Sequence, residues 1–470
     1  MPVDTISADA ELDRFPLTEL EAERLIGTIC FKTGPPGVIG TELEWLVRDA
    51  ADPLLPVPFD RVRVILEQLK RSGSLPASGL LTLEPGGQVE LSTAPAIDLP
   101  GCVAAATDDM NVLRQAFRSA GFELVGHGLD PHRTPSRVLD LPRYAAMEEF
   151  FDRRGPWGRL MMCSTASVQV CIDAGLDGAS PSNCGASSYQ FRWRLMHALG
   201  PVLVAAFANS PLRRGKPTGW KCTRQLVWSR LDPYRTRPPR GAEPCHSELA
   251  DPRADMVRFA MDAEVLCMRR PDGQSWAVPR GLTFRDWLRG SAAHEAPPPT
   301  ADDLTYHLST LFPPVRAQGH LELRMIDAQP DDGWIVPVAL VAALAEDPVA
   351  ADAAMAAAEP VWYSLGAAGV PPPRHGSALR GQRTADERSG PWLHAARLGP
   401  GDKVLAKAAS ECFAAADAAL ARSNAPKQIR DSVAEFAHRY PLRGRCPADD
   451  ILDFSRSTLD TPRSEKDLQP

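Results

Sequence analysis

Four short stretches of this chain alternate apolar and polar residues with a period of two, and that repeat restricts its possible folds more than any other feature of the 470 residues. In 38–47 the alternation sends Glu42 and Glu44 to one face and Leu43, Trp45 and Val47 to the other. In 88–92, Glu90 lies between Val89 and Leu91, just after a tight Pro85-Gly86-Gly87 turn. In 167–173, Val168, Val170 and Ile172 form the apolar side, while Ser167, Gln169, Cys171 and Asp173 share the polar one. In 320–326, Glu322 and Arg324 stand opposite Leu321, Leu323 and Met325. Such strands predict an antiparallel sheet with one side on the core and the other lining a polar site.

Helices are expected between the strands. Thr18 and Glu21 make a capping-box pattern for a helix over 18–31. Asp60 is read as the cap of a helix whose stripe is Val62, Ile65, Leu66 and Leu69, closed at Gly73. Further helices are expected over 101–120, 143–153 and 188–207. Pro and Gly cluster in 231–244, 291–300 and 366–401, which read as loops; 402–439 is Ala-rich and helical in character, and 455–470 is polar. Helices and strands mix without a regular βαβ rhythm, which makes the class α+β.

Charge and motifs exclude several functions. Lys and Arg number 52 against 59 Asp and Glu, a net charge of -7, which argues against nucleic acid or an anionic membrane as partner. The longest apolar run, 335–345, contains Pro337 and falls far short of the roughly 20 residues of a membrane helix. No signal peptide is recognisable, and ten cysteines without a CxxC pair fit reduced thiols, so a soluble cytoplasmic protein is expected. Gly215-Lys216 is followed by Pro217, Gly126-His127-Gly128 lacks a third glycine, and neither HExxH nor GxSxG occurs.

The carboxylates remain. At roughly 6.5 Å and an effective dielectric near 20, two of them repel by about 2.5 kcal/mol, which a fold tolerates with solvation or nearby cations. Any single pair fits a solvated strand face; four polar strand faces together fit a site for a hard divalent cation shared with phosphates. The chemistry implied is phosphoryl or nucleotidyl transfer.

Gly40-Thr41-Glu42-Leu43-Glu44, the string EPGGQVELS from Glu84 to Ser92, the segment 167–173, Ala208-Asn209-Ser210-Pro211 and Leu321-Glu322-Leu323-Arg324 together resemble, in order over about 38–330, glutamate–cysteine ligase of the plant and actinobacterial type. The Arg- and Ala-rich composition is similar to that of the actinobacterial branch, which looks like the enzyme that supplies γ-glutamylcysteine to ergothioneine synthesis. The resemblance implies a catalytic unit over 1–400 with a curved, mainly antiparallel sheet backed by helices, similar in plan to glutamine synthetase. A helical region over 401–454 would pack on it, with a mobile tail over 455–470. It implies ATP-dependent joining of L-glutamate to L-cysteine through a γ-glutamyl phosphate, with Mg²⁺ as cofactor. By the same resemblance Glu42, Glu44, Glu90 and Glu322 ligate Mg²⁺, Glu84 and Gln169 contribute further, and Arg324 contacts the transferring phosphate. Gln169 stands where distant relatives carry histidine. Arg224 and Arg235 are implied to bind the glutamate α-carboxylate, the alternative for each being a loop brace. No cysteine pair matches the redox pair of plant relatives, and the cysteine pocket and oligomeric state are not indicated. A carboxylate–amine ligase with another acceptor, or a non-catalytic nucleotide-binding regulator on this fold, are the alternatives.

Overall fold

The computed structural model describes residues 15–32, 37–177, 185–239, 251–271, 273–292, 296–366 and 390–460, with Ala242 and His294. The four alternating stretches are strands of one open sheet. Its members are β1 (Ile39–Asp49), β2 (Leu80–Leu83), β3 (Val89–Ser92), β4 (Phe122–Val125) and β5 (Ser167–Asp173), joined by β8 (Val315–Ala317) and β9 (His320–Asp327). The order is β2-β3-β1-β5-β9-β8, with β4 on the far end of β1, and every pairing is antiparallel. A separate ribbon pairs β6 (Leu212–Arg213) with β7 (Lys216–Pro217). The fold is the expected α+β class.

One face of the sheet is the core. Leu43, Trp45, Val47, Val89, Leu91, Val170, Ile172, Leu321 and Leu323 are all buried in one continuous cluster that also takes in helices Tyr189–Ala206, Ile335–Glu346 and Lys403–Arg422. Helix Ile335–Glu346 is buried from Ile335 to Ala345, the behaviour of a helix apolar all round. Pro337 sits in its first turn, where the missing N–H leaves no bond unmade. No described helix is long and apolar enough to cross a membrane.

Local signals were mostly legible. Thr18 caps helix Glu19–Cys30, its hydroxyl accepting from the Glu21 amide at 3.3 Å. Gly73 closes helix Phe59–Ser72 at φ 58°. Asp60 is not the cap: Pro58 holds that position and Asp60 lies in the first turn, where its charge faces the positive helix end. The expected loops also contain helices, Pro233–Thr236 and Pro391–Leu398, and the last helix, Pro447–Asp460, runs past residue 455. Residues 367–389 and 461–470 lie outside the described residues.

The Pro85-Gly86-Gly87 turn has a steric explanation. A Cβ on Gly86 would lie 2.3 Å from the Cys163 carbonyl oxygen, so the turn packs its backbone directly on helix Trp157–Ser164. Gly87 adopts φ +87°. Gln88 then pins the turn, donating to the carbonyls of Thr165 at 2.9 Å and Met162 at 3.3 Å. Gly86→Ala is expected to cost about 3 kcal/mol or more, since neither backbone can yield cheaply. A urea midpoint equal to the parent's would refute this close packing.

Candidate active site

The strand register assembles the polar face as three cross-strand rows. Thr82, Glu90 and Glu44 align across β2, β3 and β1; Ser92, Glu42 and Gln169 across β3, β1 and β5; and Gly40, Cys171, Glu322 and Arg316 across β1, β5, β9 and β8. A register shift between Val168 and Val170 breaks the one-to-one pairing of β5 with β9 beside Gln169. Glu84 joins from the turn before β3.

The carboxylates among these side chains are half-buried, apart from the fully buried Glu322. Glu42, Glu44, Glu84, Glu90 and Gln169 line a cavity of about 470 Å³, together with Arg143, Arg224, Arg316 and Arg324. Tyr144, Met147, Met161, Met162, Trp228 and Phe312 supply its apolar wall. Four carboxylates and four guanidiniums thus share one compartment.

The electrostatics divide it. Burial, then repulsion from Glu322 and Glu90, pushes Glu42 up to about 8. Burial, then Glu44 and Glu90, does the same to Glu84, also to about 8. Glu44 is raised chiefly by burial. Glu322 goes the other way: burial opposes its charge, but Arg316 and Arg324 overcome it and hold the carboxyl at about 2. Tyr144 is raised to about 12 by burial and then by Glu84. For Glu42, Glu44 and Glu84 burial and mutual repulsion outweigh the pull of the nearby arginines. An all-oxygen donor set without His or Cys inside the cavity fits a hard divalent cation.

A network links the two halves. Gln169 donates to Glu44 Oε1 at 2.9 Å and accepts from Arg324 Nη1 at 2.7 Å. Arg324 also ion-pairs with Glu322, which Arg316 grips through Nη2 at 2.6 and 2.8 Å and Nε at 3.0 Å. Arg224 donates to the Arg324 carbonyl at 2.8 Å and lies 4.9 Å over the Trp228 ring. The Ala-Asn-Ser-Pro string sets that arginine. Asn209 donates to the Gly126 and Ala328 carbonyls at 2.8 Å, Ser210 Oγ donates to Asp327 at 2.7 Å, and the Arg224 amide donates to the same Oγ at 3.2 Å. The buried Nε atoms of Arg224 and Arg324 have no hydrogen-bond partner among the described residues.

The model of glutamate–cysteine ligase family 2 matches residues 38–467, nearly the whole chain and every strand of this site. The chain belongs to glutamate–cysteine ligase family 2. It is an enzyme of the ligase class. Glutamate–cysteine ligase EgtA of Mycobacterium tuberculosis is 38% identical over 435 residues, covering 92% of this chain and 89% of the relative. A chloroplastic glutamate–cysteine ligase A of Oryza sativa subsp. indica is 30% identical over 312 residues, covering 62% of this chain and 59% of the relative. A solved glutamate–cysteine ligase from Francisella tularensis in complex with AMP is more distant, at TM-score 0.45 and 13% identity, covering 91% of this chain and 86% of that chain.

Of the residues that resemblance to the ligases singled out, the cavity gathers Glu42, Glu44, Glu84, Glu90, Gln169, Arg224 and Arg324. Two do not line it. Glu322, expected as a cation ligand, is 1% exposed and taken by two guanidiniums. Arg235, expected to meet substrate, is fully buried and donates to Thr310 O at 2.5 Å, Thr310 Oγ1 at 3.0 Å and the Glu264 carbonyl. Those contacts, with Asp232 3.6 Å from its Nε, hold Arg235 inside the fold and away from the cavity. Sequence reading missed Arg316 and Arg143. The period of two in 315–317 offered a signal for Arg316, opposite Glu322; Arg143, bonded to Ser309 Oγ and O at 3.1 Å, had none.

Proposed function

We propose that this cavity joins the γ-carboxylate of L-glutamate to the amine of L-cysteine at the expense of ATP, through a γ-glutamyl phosphate, to give γ-glutamylcysteine. The observation that carries the reading is that four carboxylates and four guanidiniums line one compartment. Likeness to the EgtA relative supports ergothioneine synthesis as the fate of the product.

In this reading Glu42, Glu44, Glu84 and Glu90 hold Mg²⁺, and Gln169 orients Glu44 against Arg324. Bound there, Mg²⁺ supplies neutralising charge to the phosphates of ATP. Arg324 donates to the oxygens of the transferring phosphoryl group, held in place by Glu322 and Gln169. Arg224 pairs with the glutamate α-carboxylate, its plane steadied by Trp228. Met161, Met162 and Phe312 keep water from the acyl phosphate until the amine attacks.

Incubation with ATP, Mg²⁺, glutamate and single amino acids tests the assignment. ADP and a γ-linked product with cysteine are expected. Preference for another amine would give a different carboxylate–amine ligase, and nucleotide binding without ADP release under any mixture would give a regulator.

The raised carboxyls make a second prediction. Folded Glu42 and Glu84 keep protons that the unfolded chain has lost above about pH 4.5, so metal-free stability falls as pH rises from there through about 8. Mg²⁺ competes with those protons and recovers more at high pH. The rise in melting temperature at saturating Mg²⁺ should therefore be larger at pH 8.5 than at pH 6. An equal or smaller rise at pH 8.5 would count against these carboxylates as the metal-binding set.

A further inference from the structure

Strand β9 ends on a carboxylate, Asp327, which follows Arg324 on the same strand and does not line the cavity. It is 1% exposed and pairs with Ser167 of β5. A Cβ on Gly128 would lie 2.2 Å from its Cγ, so the backbone closes over the carboxyl on that side. A carboxyl buried this deeply carries a desolvation penalty that only directed partners offset.

Those partners lead to the helix Thr223–Ser229, which carries Arg224 and Trp228. Asp327 Oδ2 accepts from Ser210 Oγ at 2.7 Å and from the Asn209 amide at 2.8 Å, and Oδ1 accepts from the Cys222 thiol at 3.2 Å. Two of these groups pass the contact on. Ser210 Oγ accepts from the Arg224 amide at 3.2 Å, and Cys222 Sγ, the helix cap, accepts from the Gln225 amide at 3.4 Å. Asp327 thereby orders two consecutive amides of the first helical turn through intermediaries. Burial pushes its carboxyl up, and the charge of Arg224 is the first influence that pulls it back. The head of Arg224 is fixed by the same strand, because its Nη2 donates to the Arg324 carbonyl at 2.8 Å. One strand thus holds Arg224 at both ends and carries Arg324 between.

We propose that Asp327 is a positioning residue that acts through Ser210 and Cys222 to fix Arg224 relative to Arg324, and so sets how glutamate is held against the transferring phosphoryl group. The effect on glutamate rests on the ligase reading; the relay to the two amides does not.

Asp327→Asn removes the charge and keeps the shape. In the full chain with Mg²⁺, KM for glutamate should rise at least about tenfold, as for a misplaced charge-assisted contact, with KM for ATP within about threefold of the parent. Ser210→Ala should shift the same constant, and the double variant should lose less than the product of the two singles, because both break one route. A full product overturns the route through Ser210. A fall in kcat with KM for glutamate unchanged places the effect on Arg324 and overturns the role, as does an equal rise in both KM values. Hydrogen exchange read by mass spectrometry needs no turnover: in Asp327→Asn it should quicken at least about fivefold over 223–229, with β5 unchanged. Unaltered exchange there overturns the relay, and faster exchange across β5 as well makes Asp327 merely structural. Should Asp327→Asn fail to fold, Ser210→Ala carries the same two readouts. Absent turnover in the parent defeats the ligase reading instead and leaves the exchange result to decide the relay.

Discussion

Glu42→Gln should lower turnover by about a thousandfold or more while leaving the protein at least as stable as its parent. The amide keeps the shape of the carboxyl and removes a charge that Glu322 and Glu90 already oppose. Losing one charged oxygen ligand from a phosphoryl-transfer site forfeits several kcal/mol of transition-state stabilisation, and about 4 kcal/mol corresponds to a thousandfold. Stability moves the other way, because in metal-free protein above about pH 8 the buried charge is a liability. Steady-state ADP release and metal-free melts at pH 8.5 check both halves. Turnover within tenfold of the parent would remove Glu42 from the metal set; a lower melting temperature would mean that Glu42 is structural. A functional residue whose removal stabilises the fold is the pattern expected of a site held at the expense of stability.

Arg324→Ala has the second largest expected effect, a loss of about 10²–10³ in kcat with the Kd for ATP changed less than about fivefold. One donor aimed at developing charge contributes that much when water is excluded. Uniform binding of ATP is spread over other groups, among them Arg143, Arg224 and Arg316 in the same cavity. The fold should survive, because Glu322 keeps its paired contacts with Arg316 at 2.6 and 2.8 Å. Arg324→Lys restores a cation but cannot span both Gln169 and Glu322, so it should recover only part of kcat. Single-turnover measurements separate the chemical step from nucleotide binding. A variant that loses ATP affinity and kcat in equal measure would make Arg324 a binding group and not one reserved for the transition state.

Much of this architecture is visible in local pattern. Period-two alternation gave β1, β3, β5 and β9 and the correct face of each, because burial of one side selects the register. The Gly-rich turn also announced itself, although its reason, a backbone seated on the Cys163 carbonyl, is tertiary. Short elements escaped: β2, β4 and β8 have three or four residues each, too few for a period to stand out without the partner strand. Proline misled the reading of 391–398, where Pro391 opens a helix and does not break one.

The residues themselves determined which chemistry was available: oxygen ligands on strand faces, guanidiniums near them, and no phosphate loop or hydrolase motif to compete. Only the folded chain decided which of those groups meet. Arg224 and Arg235 look equivalent in the sequence, yet one lines the cavity over Trp228 and the other is spent on backbone carbonyls. Glu42 and Glu322 look equivalent too, yet one is pushed up to about 8 and the other down to about 2. The physical reason is that a carboxylate's properties depend on which charges lie within a few ångströms and how much water remains. Strand register sets both by joining segments more than a hundred residues apart.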